Sequence, residues 1–113
     1  MMPLREMAQA VLSTSDGRQK TALSRGFAAE WFAARIKDDP VSLGHATPPE
    51  FPARPEKPEL LAPRDVPRRR PHTAKGRLAM LHAVAHIELN AVDLHWDLIA
   101  RFEEIKMPLG YYD

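Results

Sequence analysis

TAKGRLAMLHAVAHIELNAVDLHWDLIARFEEIK, residues 73–106, has no proline and one glycine, Gly76, near its start. Thr73 offers a hydroxyl N-cap, so one long helix is expected to begin there. On a wheel turning about 100° per residue, with Glu88 at the origin, Leu81 and Ile99 lie at about 20°, Val92 at about 40°, Ala85 at about 60°, and Val84 and Phe102 at about −40°. Glu88 is therefore expected in the middle of an apolar stripe. A carboxylate there is costly unless it is paired, hydrogen-bonded or bound to a cation. Glu88 is thus the first candidate metal ligand, although an arginine or helix-end amides elsewhere in the fold would satisfy it equally well. His95 lies one heptad on, at about −20°, but roughly 10 Å further along the axis, which suits a residue that backs a ligand better than one that touches the ion. His82 and His86 form an i, i+4 pair able to chelate a divalent ion. They fall on a flank with Asp93, with no third ligand nearby in sequence, and packing or hydrogen bonding accounts for them as well. These two histidines are the second-choice ligands.

Upstream, the sequence changes character. Of eleven prolines, most fall between Pro40 and Pro71, where Pro48, Pro49, Pro52, Pro55, Pro58, Pro63, Pro67 and Pro71 forbid a long helix because each lacks an N–H and restrains its predecessor. Residues 40–72 are expected to form an extended connector, either a spacer or a strap laid on a helical bundle with Phe51, Leu60, Leu61 and Val66 as anchors. Residues 1–39 read as a helical hairpin. Leu4, Met7, Ala8, Val11 and Leu12 follow helical spacing, and residues 13–17 (Ser-Thr-Ser-Asp-Gly) interrupt it. The second helix would carry Leu23, Phe27, Trp31 and Ile36 inward, with Lys20, Arg25, Glu30 and Arg35 turned outward, and Asp38-Asp39-Pro40 would stop it. Residues 73–113 form the third block.

Composition narrows the function classes. A chain of 113 residues that is 44% hydrophobic supports one small core. Sixteen basic against fifteen acidic residues give a net charge of +1, which supplies no global attraction for nucleic acid or anionic membranes. The absence of cysteine excludes disulfides, thiolate catalysis and Cys-ligated zinc, so any metal site must use His and carboxylates. No window approaches the roughly 18 apolar residues of a membrane span, and Met1–Ala10 carries charges at Arg5 and Glu6 rather than an apolar core. The cytoplasm is the expected location. Arg68-Arg69-Arg70, with Arg64, raises an RNA contact as an alternative, but without interleaved aromatics a solvated or ion-paired turn is expected.

The segment Arg77–Phe102, with its Ala85-His86-Ile87-Glu88-Leu89 core and the preceding Pro-Arg-Arg-Arg-Pro turn, resembles the bacterial ferritin-like family catalogued as a domain of unknown function. The likeness extends to the Pro-rich strap and the helix bearing Lys20 and Trp31. It implies an all-α, four-helix ferritin-like bundle, related in architecture to the non-haem di-iron tRNA hydroxylase. In such bundles a Glu from one helix and Glu-x-x-His from the next hold iron, and a second helix pair repeats the set. Glu88 matches the first Glu, but no Glu-x-x-His occurs in these residues. The expectation is an N-terminal part of an incomplete bundle, with no catalytic residue of its own and no iron stably bound alone. Its intact form would be a di-iron-type oxidoreductase. Self-association or the missing C-terminal part of the bundle would cover the long helix. The alternatives are a non-catalytic helical interaction module and an RNA-associated protein.

Overall fold

The computed structural model describes residues 1–56 and 72–113, and within them the chain is all-α. Helices α1 (Leu4–Leu12), α2 (Gly17–Ile36) and α3 (Ala74–Arg101) are followed by a short 3₁₀ turn, Leu109–Tyr112, with no strand among the described residues. The helix ends follow from their sequences. Asp16 caps α2 by accepting the Gln19 N–H at 2.9 Å, and Thr73 caps α3 by accepting the Gly76 N–H at 2.9 Å. Helix α2 stops where Asp38 turns left-handed, at φ 56°. The Asp39 and Asp38 amides then fold back onto the carbonyls of Ala34 and Arg35, which satisfies the helix-end acceptors. No helix among the described residues is long and apolar enough to cross a membrane.

Nine residues are too few for a stable helix in water, so α1 depends on burial. Leu4, Met7, Ala8, Val11 and Leu12 are at most 1% exposed, and removing each large side chain from water contributes about 1.5–3 kcal/mol before entropy is counted. The helix packs more on α3 than on α2, and α2 and α3 touch each other least. Trp31, Trp96, Ala100 and Tyr112 close the core around it, with Leu23, Phe27, Val92 and Ile99 at its margin. Phe27 meets Trp96 edge to face at 6.4 Å, and the Trp96 indole donates to Ser24 Oγ at 2.8 Å.

On α2 the expected inward stripe is right for Leu23, Phe27 and Trp31 and wrong at its end, since Ile36 is 86% exposed. It sits on the last turn of the helix, beyond the cover of the other elements. Lys20, expected to face outward, is fully buried. Its ammonium lies 2.5 Å from Asp93 Oδ1 on α3 and donates to the Ala53 carbonyl at 2.6 Å.

The described part of the connector behaves as a strap. Val41, Leu43 and Ala46 pack against the core, but polar contacts to the backbone hold most of its length. The first two amides of α1 donate to the carbonyls of Ser42 and Leu43, and the Ala53 amide donates to the Leu12 carbonyl. Prolines remove backbone donors, and three further strap carbonyls are met by cations instead. Arg5 reaches Gly44 at 3.1 Å, Arg101 reaches Pro49 at 2.6 Å, and Lys20 reaches Ala53. Gly44 has φ +65°, and a Cβ there would collide with Pro3, so the strap crosses the start of α1 only with glycine at that position. Phe51 does not anchor it, being 76% exposed. The other expected anchors, Leu60, Leu61 and Val66, and the arginines Arg64, Arg68, Arg69 and Arg70, lie outside the described residues.

Removing one member of a buried ion pair strands the other. Lys20→Met or Asp93→Leu alone is therefore expected to destabilise the fold by about 3–5 kcal/mol, while the double variant recovers most of that loss. Urea unfolding of the three proteins, analysed as a double-mutant cycle, measures it, and additive losses would contradict the coupling.

Candidate functional site

Two specific bonds set the rotation of α3 about its own axis, Asp93 to Lys20 and Trp96 to Ser24. They turn Asp93, Trp96 and Ala100 into the core. On the wheel used above these residues lie at about 80–140°, so the expected stripe through Leu81, Val84 and Glu88 is not the buried one. Leu81 is 66% exposed and Val84 52%, Glu88 is exposed, and Phe102, just past the helix, is 43% exposed. Only Val92 and Ile99 of that stripe reach the margin of the core. Glu88 needs no buried partner because it is not buried.

Glu88 stands on one rim of an open groove between α2 and α3, about 710 Å³ in volume, with Arg18, Thr21 and Arg25 on the α2 side and Leu89 and Val92 at its floor. The start of α2 lies near α3, since a Cβ placed at Gly17 would meet the Leu89 side chain at an ordinary contact distance of 3.9 Å. The groove combines an apolar floor, two guanidinium groups and one carboxylate, which suits docking of an amphipathic surface. His82 and His95 are exposed and His86 is half-buried. No group of three or more His, Asp or Glu among the described residues could hold a metal ion. The described residues do not by themselves fit a metal centre, and among them Glu88 is not brought together with His82, His86 or His95 in one.

The buried polar groups lie elsewhere. Beside the Lys20–Asp93 pair, Asp93 Oδ2 is buried without a hydrogen-bond partner among the described residues. Arg5 is 5% exposed and donates to three acceptors: the Ile99 carbonyl at 3.2 Å, the Gly44 carbonyl at 3.1 Å and the Tyr112 hydroxyl at 3.3 Å. Its guanidinium also lies 6.0 Å from the Tyr112 ring centre. Neither cation was singled out from the sequence, although Lys20 stands three residues before Leu23 and seven before Phe27, on the stripe that turns inward. Arg5 likewise sits between Leu4 and Met7 on the buried face of α1.

At the far end, Asp113 accepts from the Trp31 indole at 2.9 Å and from Arg35 Nε and Nη2 at 2.9 and 3.1 Å. The hydrogen bond from Arg35, more than that from Trp31, holds the Asp113 carboxyl below its ordinary range. Glu103, bonded to His45 and to the Ala46 amide, is also held low, chiefly by His45. Both carboxylates favour the folded state above the ordinary carboxylate range, and that contribution is lost as pH falls through their depressed values.

A family model described as "Protein of unknown function (DUF455)" matches residues 13–113. Among curated proteins the chain is similar to an "Uncharacterized protein" of Haemophilus influenzae, 56% identical over 50 residues. That stretch is 44% of this chain and 17% of the relative, so the match spans less than a fifth of the relative's length. No solved structure matches.

Arg35→Ala is expected to return the Asp113 carboxyl toward the ordinary aspartate range and to free the Trp31 indole at a higher pH than in the wild type. Carboxyl-carbon and indole N–H chemical shifts followed through an acid titration read both effects. Coincident Asp113 titration curves in the two proteins would rule out the Arg35 contact as their cause.

Proposed function

The chain belongs to the DUF455 family, and from that premise we propose that it is a docking section of a larger, ferritin-like all-α protein. The intact form is a metal-dependent oxidoreductase of the di-iron type, to which Glu88 supplies one ligand. The observation that carries this reading is the position of Glu88, which is exposed at the rim of a groove whose floor is apolar. A helix packing into that groove would desolvate the carboxylate, and a cation is one of the few partners that makes such burial tolerable. The remaining ligands come from helices outside the described residues, since these contain no set that holds a metal alone. Glu88 is expected to bind, while Arg18 and Arg25 meet acidic groups of the incoming helix.

A second reading, a non-catalytic helical interaction module, is favoured by the bare apolar residues of α3, among them Leu81, Ile87 and Leu94. The two readings differ in whether association depends on metal.

Equilibrium dialysis of the chain against Fe(II) or Mn(II) separates them. The oxidoreductase reading expects weak uptake that Glu88→Ala lowers by roughly tenfold or more, with His82→Ala/His86→Ala unchanged. Uptake lost only in the histidine double variant would move the site to that flank. Equal uptake in all three proteins would remove Glu88 from any metal site.

A further inference from the structure

The buried pair that joins α2 to α3 leaves hydrogen-bonding capacity unused on both of its members. Lys20 is 0% exposed and Asp93 2%. An ammonium has three N–H donors, and Lys20 uses two of them, on Asp93 Oδ1 at 2.5 Å and on the Ala53 carbonyl at 2.6 Å. Its third N–H has no acceptor among the described residues. On the other side, Asp93 Oδ2 is buried with no donor among them. A spare donor and a spare acceptor therefore sit on one desolvated ion pair. Buried carboxylate oxygens are seldom left so, because an unmet acceptor has lost its hydration and gained nothing in return. The surroundings are polar as well. Asn90, one turn before Asp93 on α3 and half-buried, accepts from the Arg54 guanidinium through its side-chain oxygen, so the consecutive strap residues 53 and 54 are both held by hydrogen bonds at this junction.

We propose that this pair is the binding site of a single internal water, which accepts the third N–H of Lys20 and donates to Asp93 Oδ2. The chemistry selects the occupant, because one group must accept from an ammonium and donate to a carboxylate at the same time. A metal ion accepts no hydrogen bond and would stand against the Lys20 charge. An anion without a proton has nothing to donate and would stand against Asp93. A side chain from another molecule does not reach Oδ2, since both members of the pair are covered. A small neutral molecule with both capacities meets every condition, and water is that molecule. Internal waters typically make about three hydrogen bonds. Asn90 is the candidate acceptor for the second proton, because its side-chain oxygen has a lone pair beyond the one that Arg54 takes. Protonating Oδ2 would also satisfy that atom, but it would leave the buried Lys20 charge uncompensated, which is the costlier fault. With the water in place, α2, α3 and the strap share one closed hydrogen-bonded centre. The inference does not rest on Glu88 binding metal.

Oxygen-17 relaxation dispersion of the solvent, which counts long-lived internal waters, tests it on the full chain. The expected result is one such water fewer in Lys20→Met/Asp93→Leu than in the wild type, because the apolar replacement offers no hydrogen bond. Ile36→Ser, at a position 86% exposed and away from the pair, keeps the wild-type count. A nuclear Overhauser contact between the Lys20 ammonium protons and a bound water, observed in the wild type, decides the matter even where the double variant does not fold. The Asp93 carboxyl-carbon shift at neutral pH should be that of an ionised group. An equal water count in the wild type and the folded double variant, a Lys20 ammonium without a water contact, or a protonated Asp93 carboxyl would overturn the proposal.

Discussion

The ammonium of Lys20, buried between Asp93 Oδ1 and the Ala53 carbonyl, joins three parts of the chain that are far apart in sequence. Desolvating a charge is expensive, and a pair of this kind is tolerated only when its geometry is held closely. That demand fixes the height of α2 against α3 and draws the strap over both. The apolar core around α1 supplies most of the favourable free energy, but apolar contacts are not directional. The buried pair, with the Trp96–Ser24 bond beside it, selects one arrangement among those that would bury similar area.

The same constraint decides what α3 offers to its surroundings. Once Asp93 and Trp96 point inward, Glu88 is committed to the groove rim and the exposed Val84, Ile87 and Leu94 to the opposite side. A helix apolar on both faces is a central element of a larger assembly rather than the edge of a small one. Membership of a family in which a relative extends far beyond the matched segment agrees with that placement.

Much of the fold was legible in the sequence for local reasons. The break at residues 13–17, the cap at Thr73, the stop at Asp38-Asp39 and the absence of proline from 72 to 107 each act within one or two turns, so the helices could be placed from composition and spacing. What failed was orientation. With apolar residues on two sides of α3, periodicity alone could not tell which stripe meets α1, and the stripe centred on Glu88 was the wrong choice. Lys20 was assigned to solvent because a lysine normally lies there, although its spacing from Leu23 and Phe27 placed it on the inward face. Phe51 was taken for an anchor because apolar residues usually hold an extended chain to a core. Here side chains gripping strap carbonyls do that, and no sequence period records such contacts. The candidate site was legible only as a residue, Glu88. Its groove depends on where α2 starts and how α3 is turned.

The capping of α1 by Ser42 and Leu43 bears on the order in which the molecule assembles. Helix α1 is the most deeply buried, yet its leading amides find their acceptors only after some forty further residues have been made. It also packs mainly on α3, which begins about sixty residues further along the chain. A segment so short holds little helix by itself, and contacts of such sequence separation form slowly because loop closure comes first. Helix α1 is therefore made before the parts that complete it, which leaves its apolar face open to chaperones throughout translation of the strap.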